Sequence, residues 1–371
     1  MNILFIGPYR QNDGWGNAAK SYIRALSKID SVNLCIRPIY MGSSTCEIDE
    51  DIIEFEYNSF DEYDIVIQNV LPSLCDYSDK FKKNICLAYT ETNMLPEVEW
   101  IHRLNLMDEV WVPSSQEKQN LEQSGVKIPI SVVPIPLDIE RVNSIEEELS
   151  INEINEDSFM FLVCGEFIER KNIPSVISAF HAEFSPDEDV ELLIKTNRAG
   201  VAGHDLLNLV TEKANNIKAK LRLYPNIQTY KNNYIITERM QDEHLLALFK
   251  RADCFVMASH GESWCIPAAE CMALGTPCIV TSHTGMTEFV TSDNGWVVDS
   301  TETYVSTKDA PLPYLYTARE TWRQIDVMEL RKAMREAYED STLLSKKSTE
   351  AKKDIKKYSF EAVAETVQGL L

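Results

Sequence analysis

The sequence contains no run of apolar residues approaching the roughly 18–20 that a membrane-spanning helix needs, so no span is expected. It has no C-x-x-C pair. Its nine cysteines are scattered and odd in number. Cys35, Cys164, Cys254 and Cys278 stand in apolar, strand-like contexts that read as buried free thiols. A reducing cytoplasm is the compartment this usage fits. The first apolar run, Ile3-Leu4-Phe5-Ile6, is short and has no basic stretch before it, so a secretory leader is not expected. Cations are scarce as well. Lys and Arg number 36 against 58 Asp and Glu, a net charge of −22, and residues 1–140 alone hold 11 against 22. Nucleic acid and anionic membranes both select cationic surface, so neither is an expected partner. Fixed-period repeats and low-complexity tracts are also missing.

What is present is ample core for two domains. The chain has 371 residues, 44% of them apolar, which suits two α/β units of ordinary size. Strand-like runs occur at Asn2 to Gly7, Val32 to Ile36, Ile65 to Gln68, Asn84 to Ala88, Glu109 to Val112 and Ile130 to Val133. Helical patterns alternate with several of them, beginning with Ala18 to Ile29 after a polar, glycine-containing loop from Arg10 to Asn17. This alternation predicts a parallel sheet. An acidic, apolar-poor stretch follows and reads as a linker with one solvated helix. A second alternating unit then starts at Phe159 and includes Val190 to Ile194, Ile235-Ile236, Cys254 to Met257 and Pro277 to Val280. Residues 301–325, rich in Thr, Tyr and Pro, read as a long surface loop. Tyr358 to Leu371 reads as an amphipathic helix. The expected division is a first domain over 1–140, a linker over 141–156, a second domain over 157–355 and a terminal helix over 356–371.

The chemistry concentrates between Ala252 and Gly285. A strand ending at Met257 enters a polar loop, Ser259-His260-Gly261-Glu262-Ser263-Trp264, followed by Pro267 and a short helix closed by Gly275. Proline suits a first helical turn and glycine the residue past a helix end. The free amides at such a helix start suit a phosphate. Glu262 precedes the helix and Glu270 lies about one turn inside it, so both can face one site.

The run Glu262-Ser263-Trp264-Cys265-Ile266-Pro267-Ala268-Ala269-Glu270 resembles the signature of the retaining glycosyltransferases of family 4, two glutamates separated by seven residues. Upstream, Gly165 is followed six residues later by Lys171-Asn172, the spacing at which that family places its diphosphate-binding lysine. Tyr89-Thr90-Glu91-Thr92, Asp108 to Ser114, Ser124-Gly125-Val126, Val133 to Asp138, Trp322, Leu330 to Arg335 and Tyr358 to Glu361 also stand in family order. The sequence departs from the family at Glu166, where arginine is usual, with Arg170 a candidate substitute. It departs again at Ser263-Trp264-Cys265, where Gly-Phe-Gly is usual.

The resemblance implies a GT-B architecture: two Rossmann-like domains facing a cleft, the C-terminal helix crossing back to the first. It implies transfer of a hexose from a UDP- or GDP-sugar to a soluble or glycan acceptor, with retention of configuration and without a metal. Asp49-Glu50-Asp51, the nearest acidic run, reads as solvent-exposed rather than as a metal site. Lys171, with Arg170, would neutralise charge growing on the leaving diphosphate, an exposed ion pair being an equal reading for Arg170. Glu262 would hold the sugar and Glu270 the ribose. Gly165, His260, Gly261, Ser263, Trp264, Cys265 and Ile266 would line the donor site, with core packing an equal reading for Trp264. Gly14, Trp15, Gly16 and Asn17, with Glu91, would meet acceptor or diphosphate, an ordinary turn before a helix being an equal reading for the first four and a structural hydrogen bond for Glu91. Two alternatives stay open: a catalytically degenerate partner subunit and a sugar-nucleotide epimerase of the same fold.

Overall fold

Six parallel strands form the core of the first of two units. The computed structural model describes residues 1–42, 45–95, 98–306 and 316–371, with the backbone only at Val98. In chain order the elements are β1 (Asn2–Gly7), α1 (Gly14–Ser27), β2 (Asn33–Pro38), α2 (Glu50–Tyr57), β3 (Ile65–Asn69), β4 (Lys83–Leu87), α3 (Val98–Leu104), β5 (Glu109–Val112), α4 (Ser115–Ser124) and β6 (Ile130–Val132). The sheet order is β2-β1-β3-β4-β5-β6, every pairing parallel. β3, covered on both faces, is buried at all five positions, with Ile65, Val66 and Ile67 apolar and Gln68 and Asn69 polar at its carboxyl end.

This unit comprises Met1–Ile139 together with Lys356–Leu371. The terminal helix α12 (Phe360–Gln368) is capped by Ser359 and buries Phe360, Val363, Ala364 and Val367. It packs on α1. The Leu137 amide donates to the Tyr358 carbonyl at 2.8 Å.

The second unit, Glu140–Ile355, follows from α5 (Ile139–Asn143). Its elements are β7 (Phe159–Glu166), α6 (Ile173–Glu183), β8 (Val190–Asn197), α7 (Gly203–Leu221), β9 (Tyr234–Ile236), α8 (Asp242–Arg251), β10 (Cys254–Met257), α9 (Ile266–Leu274), β11 (Cys278–Thr281), β12 (Gly295–Val298), β13 (Ser300–Tyr304), β14 (Thr321–Ile325), α10 (Val327–Glu339) and α11 (Ser341–Asp354). The parallel sheet runs β12-β11-β10-β7-β8-β9. Its core joins Phe161 and Val163 of β7 to Leu192 and Ile194 of β8, and to Ile177 and Phe180 of α6. The chain is therefore α/β, with two Rossmann-like parallel-sheet units.

Three local readings change. The glycine-containing segment is not a loop up to Asn17: α1 starts at Gly14, because Asp13 caps it by accepting from the Gly16 amide at 2.9 Å. Residues 301–325 are not a loop throughout. Their ends pair antiparallel as β13 and β14, the β-favouring Thr301, Thr303, Tyr304 and Trp322 outweighing the loop-like composition, while 307–315 lie outside the described residues. Cys75 and Cys86 are joined in a disulfide, whereas Cys35, Cys164, Cys254 and Cys278 carry free thiols. Among the described residues no helix is long and apolar enough to cross a membrane.

Candidate active site

In the second sheet the strand order reverses direction between β7 and β10, the first and fourth strands of the unit. Open α/β sheets offer a ligand crevice beyond the carboxyl ends at such a point. The chain leaving β7 carries Arg170 and Lys171, and the chain leaving β10 carries Glu262.

The two segments are tied to each other by backbone and side chain. Glu169–Lys171 form a single 3-10 turn ended by Asn172 in the left-handed region, φ 49°. Asparagine tolerates that conformation better than most residues. Asn172 Nδ2 donates to the Ala258 carbonyl at 3.0 Å, and the His260 amide donates to the Arg170 carbonyl at 2.7 Å.

Three donors then converge on one oxygen. Glu262 Oε1 accepts from Lys171 Nζ at 2.7 Å, Ser259 Oγ at 2.7 Å and Arg170 Nη1 at 3.2 Å. Arg170 Nη1 also donates to the Gly261 carbonyl at 2.8 Å. Burial alone would raise the Glu262 carboxyl, but Lys171 and Arg170 outweigh it and hold the group below the usual carboxylate range. Among the described residues Oε2 makes no hydrogen bond, which leaves it to accept from a ligand hydroxyl.

Glu166, the residue in place of the usual arginine, does not oppose this cluster. Its carboxylate accepts from the Ala199 amide at 2.9 Å, at the far side of the β8 end. Gly165 gives room rather than being demanded: a Cβ there would meet Lys171 Cδ at an ordinary 3.4 Å.

Cys265 keeps a glycine-like backbone, φ 89°, immediately before α9. Its thiol is buried, and that burial, with Glu262 nearby, pushes it up to about 12. Trp264 is 2% exposed, with its ring centroid 4.7 Å from that of Phe289, so its indole fills core. Ile266 opens α9, and Ser263 turns its carbonyl toward Gly285. That glycine is a residue the sequence reading missed: its amide donates to the Glu262 carbonyl at 2.7 Å, and a Cβ there would fall 1.9 Å from Ser263 O.

Glu270 sits inside α9, its carboxylate 3.5 Å from Arg141 Nη2, and Arg141 also reaches Asp242 at 3.2 Å. Burial pushes the Glu270 carboxyl up to about 7, with Arg141 pulling it down and Asp242 adding to the rise. His260 stacks on Trp322 at 4.8 Å and 19°. Its Nδ1 meets the Arg323 carbonyl at 2.8 Å, and the Arg323 amide returns a bond to the His260 carbonyl at 2.8 Å. The β13–β14 hairpin is thereby fastened to the loop that carries Glu262. Burial lowers the His260 pKa, and against a carbonyl its Nδ1 is the protonated nitrogen.

In the first unit Gly14, Trp15, Gly16 and Asn17 form the first turn of α1. Trp15 meets Tyr89 edge-on, 4.5 Å between centroids. A Cβ at Gly16 would lie 2.0 Å from the Gln11 carbonyl oxygen, whereas Gly14 has open space. Glu91 is half-buried beyond the end of β4. Asp49 and Asp51 are ion-paired: Arg24 reaches them at 2.6 and 2.7 Å, and Lys20 reaches Asp49 at 3.2 Å. Among the described residues no group of three His, Cys, Asp or Glu is placed to hold a metal ion.

Comparison with curated protein sequences gives no match. Residues 144–307 match the family described as glycosyl transferases group 1. Solved structures similar in fold include a sucrose-phosphate synthase of Thermosynechococcus elongatus, with TM-score 0.68 and 14% identity, covering 100% of this chain and 98% of that one. A trehalose-6-phosphate protein of E. coli bound with UDP-2-fluoro glucose gives 0.66 and 11%, over 100% and 98%. Anabaena HepE in complex with UDP and glucose gives 0.65 and 13%, over 100% and 99%. The matched segment contains Lys171, Glu262 and Glu270, and with the two Rossmann-like units it supports a glycosyltransferase.

Proposed function

We propose that this protein is a retaining glycosyltransferase that moves a hexose from a UDP- or GDP-sugar to a soluble or glycan acceptor without a metal. The observation that carries the reading is the convergence of Lys171, Arg170 and Ser259 on Glu262 Oε1 at the point where the strand order reverses. The ammonium of Lys171 has three hydrogens and spends one on Glu262, leaving two for diphosphate oxygens.

As the bond from the anomeric carbon to the phosphate oxygen breaks, negative charge grows on that oxygen. Lys171, Arg170 and the amides at the start of α9 stabilise it. The acceptor hydroxyl bonds to the anomeric carbon on the same face, and its proton passes to the departing phosphate. Glu262 Oε2 accepts from a sugar hydroxyl and Glu270 from the ribose. The first turn of α1, with Trp15 against Tyr89, and Glu91 serve the acceptor. Similarity in fold to proteins solved with UDP and glucose or a UDP-glucose analogue favours a uridine donor.

The test is release of nucleoside diphosphate from UDP- and GDP-hexoses over a panel of sugar acceptors, with product configuration read by NMR. Turnover in the wild type and its loss in Lys171→Ala supports the reading. Conversion of donor to an isomeric sugar nucleotide without acceptor would establish an epimerase instead, and binding without any turnover a degenerate partner subunit.

A further inference from the structure

Lys195 is unused by the reading above. It lies near the carboxyl end of β8, is 8% exposed, and among the described residues its side chain makes neither a hydrogen bond nor an ion pair. Lysines this buried are ordinarily paired, and burial here lowers the pKa of an ammonium that has no ion-pair partner of its own. Glu238, exposed at the surface, attracts it from beyond ion-pair distance.

Its position is set by the sheet register. Lys195 is the direct partner of Cys164 on β7, so the two side chains share the face opposite the core formed by Phe161, Val163, Leu192 and Ile194. The Cys164 thiol feels the charges of Lys195, Glu270 and Lys171 together. Lys195 therefore flanks the same site from the far side.

A nucleoside diphosphate sugar is a linear molecule: sugar, diphosphate, ribose, base. Strands β10, β7 and β8 are consecutive in the sheet and lead to Glu262, Lys171 and Lys195. With the sugar at Glu262, the diphosphate at Lys171 and the ribose at Glu270, the base comes over the end of β8. An ammonium only donates hydrogen bonds, and so selects a ring edge that presents an acceptor. Uracil and guanine present the exocyclic oxygens O4 and O6, where cytosine and adenine present amino groups. We propose that Lys195 selects the base of the donor, donating to the exocyclic oxygen of uracil or guanine; this rests on the donor-site reading above.

The experiment is calorimetric titration of UDP, CDP, GDP and ADP into the wild type, Lys195→Met and Lys171→Ala. In the wild type, UDP is expected to bind more tightly than CDP, or GDP than ADP, by about tenfold or more. Lys195→Met is expected to bring the preferred pair within about threefold, while Lys171→Ala weakens all four. Without ligand, Lys195→Met is expected to keep its Tm, since the ammonium has no hydrogen-bond or ion-pair partner to lose. A wild type that does not discriminate, a Lys195→Met variant that discriminates equally, or a lowered Tm overturns the base-selection proposal alone, provided diphosphates bind and Lys171→Ala loses them. Failure of every diphosphate to bind the wild type overturns this proposal and the donor-site reading together.

Discussion

Lys171 Nζ lies 2.7 Å from Glu262 Oε1, joining the turn after β7 to the loop after β10. Their side chains are 16% and 6% exposed, so the pair is largely withdrawn from water and each charge depends on the other. Removing one partner of such a pair leaves the other buried and under-compensated. Arg170 and Ser259 remain on Oε1 in Lys171→Ala, so the expected loss is about 1–3 kcal/mol by denaturant unfolding rather than the full penalty of an orphaned charge.

The same carboxylate sets an acid limit. Its folded pKa lies below the ordinary 4.5 because Lys171 and Arg170 overcome burial. The stability it contributes is complete above that ordinary value and is lost as pH falls through the folded one. Stability curves of wild type and Glu262→Gln are expected to converge below pH 4.5. A constant gap at all pH values contradicts the pairing.

Glu270 behaves in the opposite sense. Burial raises it from 4.5 to about 7, so the folded state holds its proton more tightly than the unfolded chain. The wild type then loses stability as pH rises from 4.5 to 7, with no further change above. Glu270→Gln is expected to escape that loss, gaining about 2–4 kcal/mol on the wild type across the window. A ribose whose hydroxyls donate to this group favours its ionised form. Nucleotide binding is therefore expected to strengthen as pH rises toward 7, to level off above it, and to release protons below it, measured by titration calorimetry in buffers of different ionisation heat.

Gly285 supports the Glu262 loop from outside it. A Cβ at that position would fall 1.9 Å from Ser263 O and 2.3 Å from Ser263 C, and backbone cannot swing aside as a flexible side chain can. Gly285→Ala is expected to cost about 1–3 kcal/mol and to weaken diphosphate binding at least tenfold in protein that still folds. Unchanged affinity would separate the loop position from the site.

Two glycines of α1 differ in the same way. Gly16→Ala places a Cβ 2.0 Å from the Gln11 carbonyl, whereas Gly14→Ala meets nothing within 4 Å. The first is expected to destabilise by about 1–3 kcal/mol. The second should leave stability unchanged or raise it by up to about 1 kcal/mol. Thermal unfolding of both variants decides this, and equal effects would contradict the close approach.

The strands and α9 were legible because their signals are local. Apolar runs such as Phe159 to Gly165 announce buried parallel strands, and Pro267 and Gly275 bracket α9. The spacing of Glu262 and Glu270 and that of Gly165 and Lys171 likewise survive in one dimension. What escaped depends on contacts between residues far apart in the chain. Arg141 meets Glu270 from 129 residues away, and Gly285 earns its role only against Ser263. Lys195 looks like an ordinary strand-end lysine until the register sets it beside Cys164. Trp264 reads equally as sugar platform or core until Phe289 is seen behind it. The start of α1 was obscured by its glycines, because the Asp13 cap and the Gln11 contact outweigh the poor helix propensity of Gly14 and Gly16.

The most direct test of the account is thermal unfolding with saturating UDP, GDP, ADP or CDP, carried out on the wild type and on Lys171→Ala. A ligand held at ~100 times its dissociation constant adds about 2.7 kcal/mol, a clear rise in Tm. At least one diphosphate is expected to stabilise the wild type, and the variant to lose that response. An unchanged Tm with all four, or an equal rise in Lys171→Ala, would contradict a donor site built on Lys171 and Glu262.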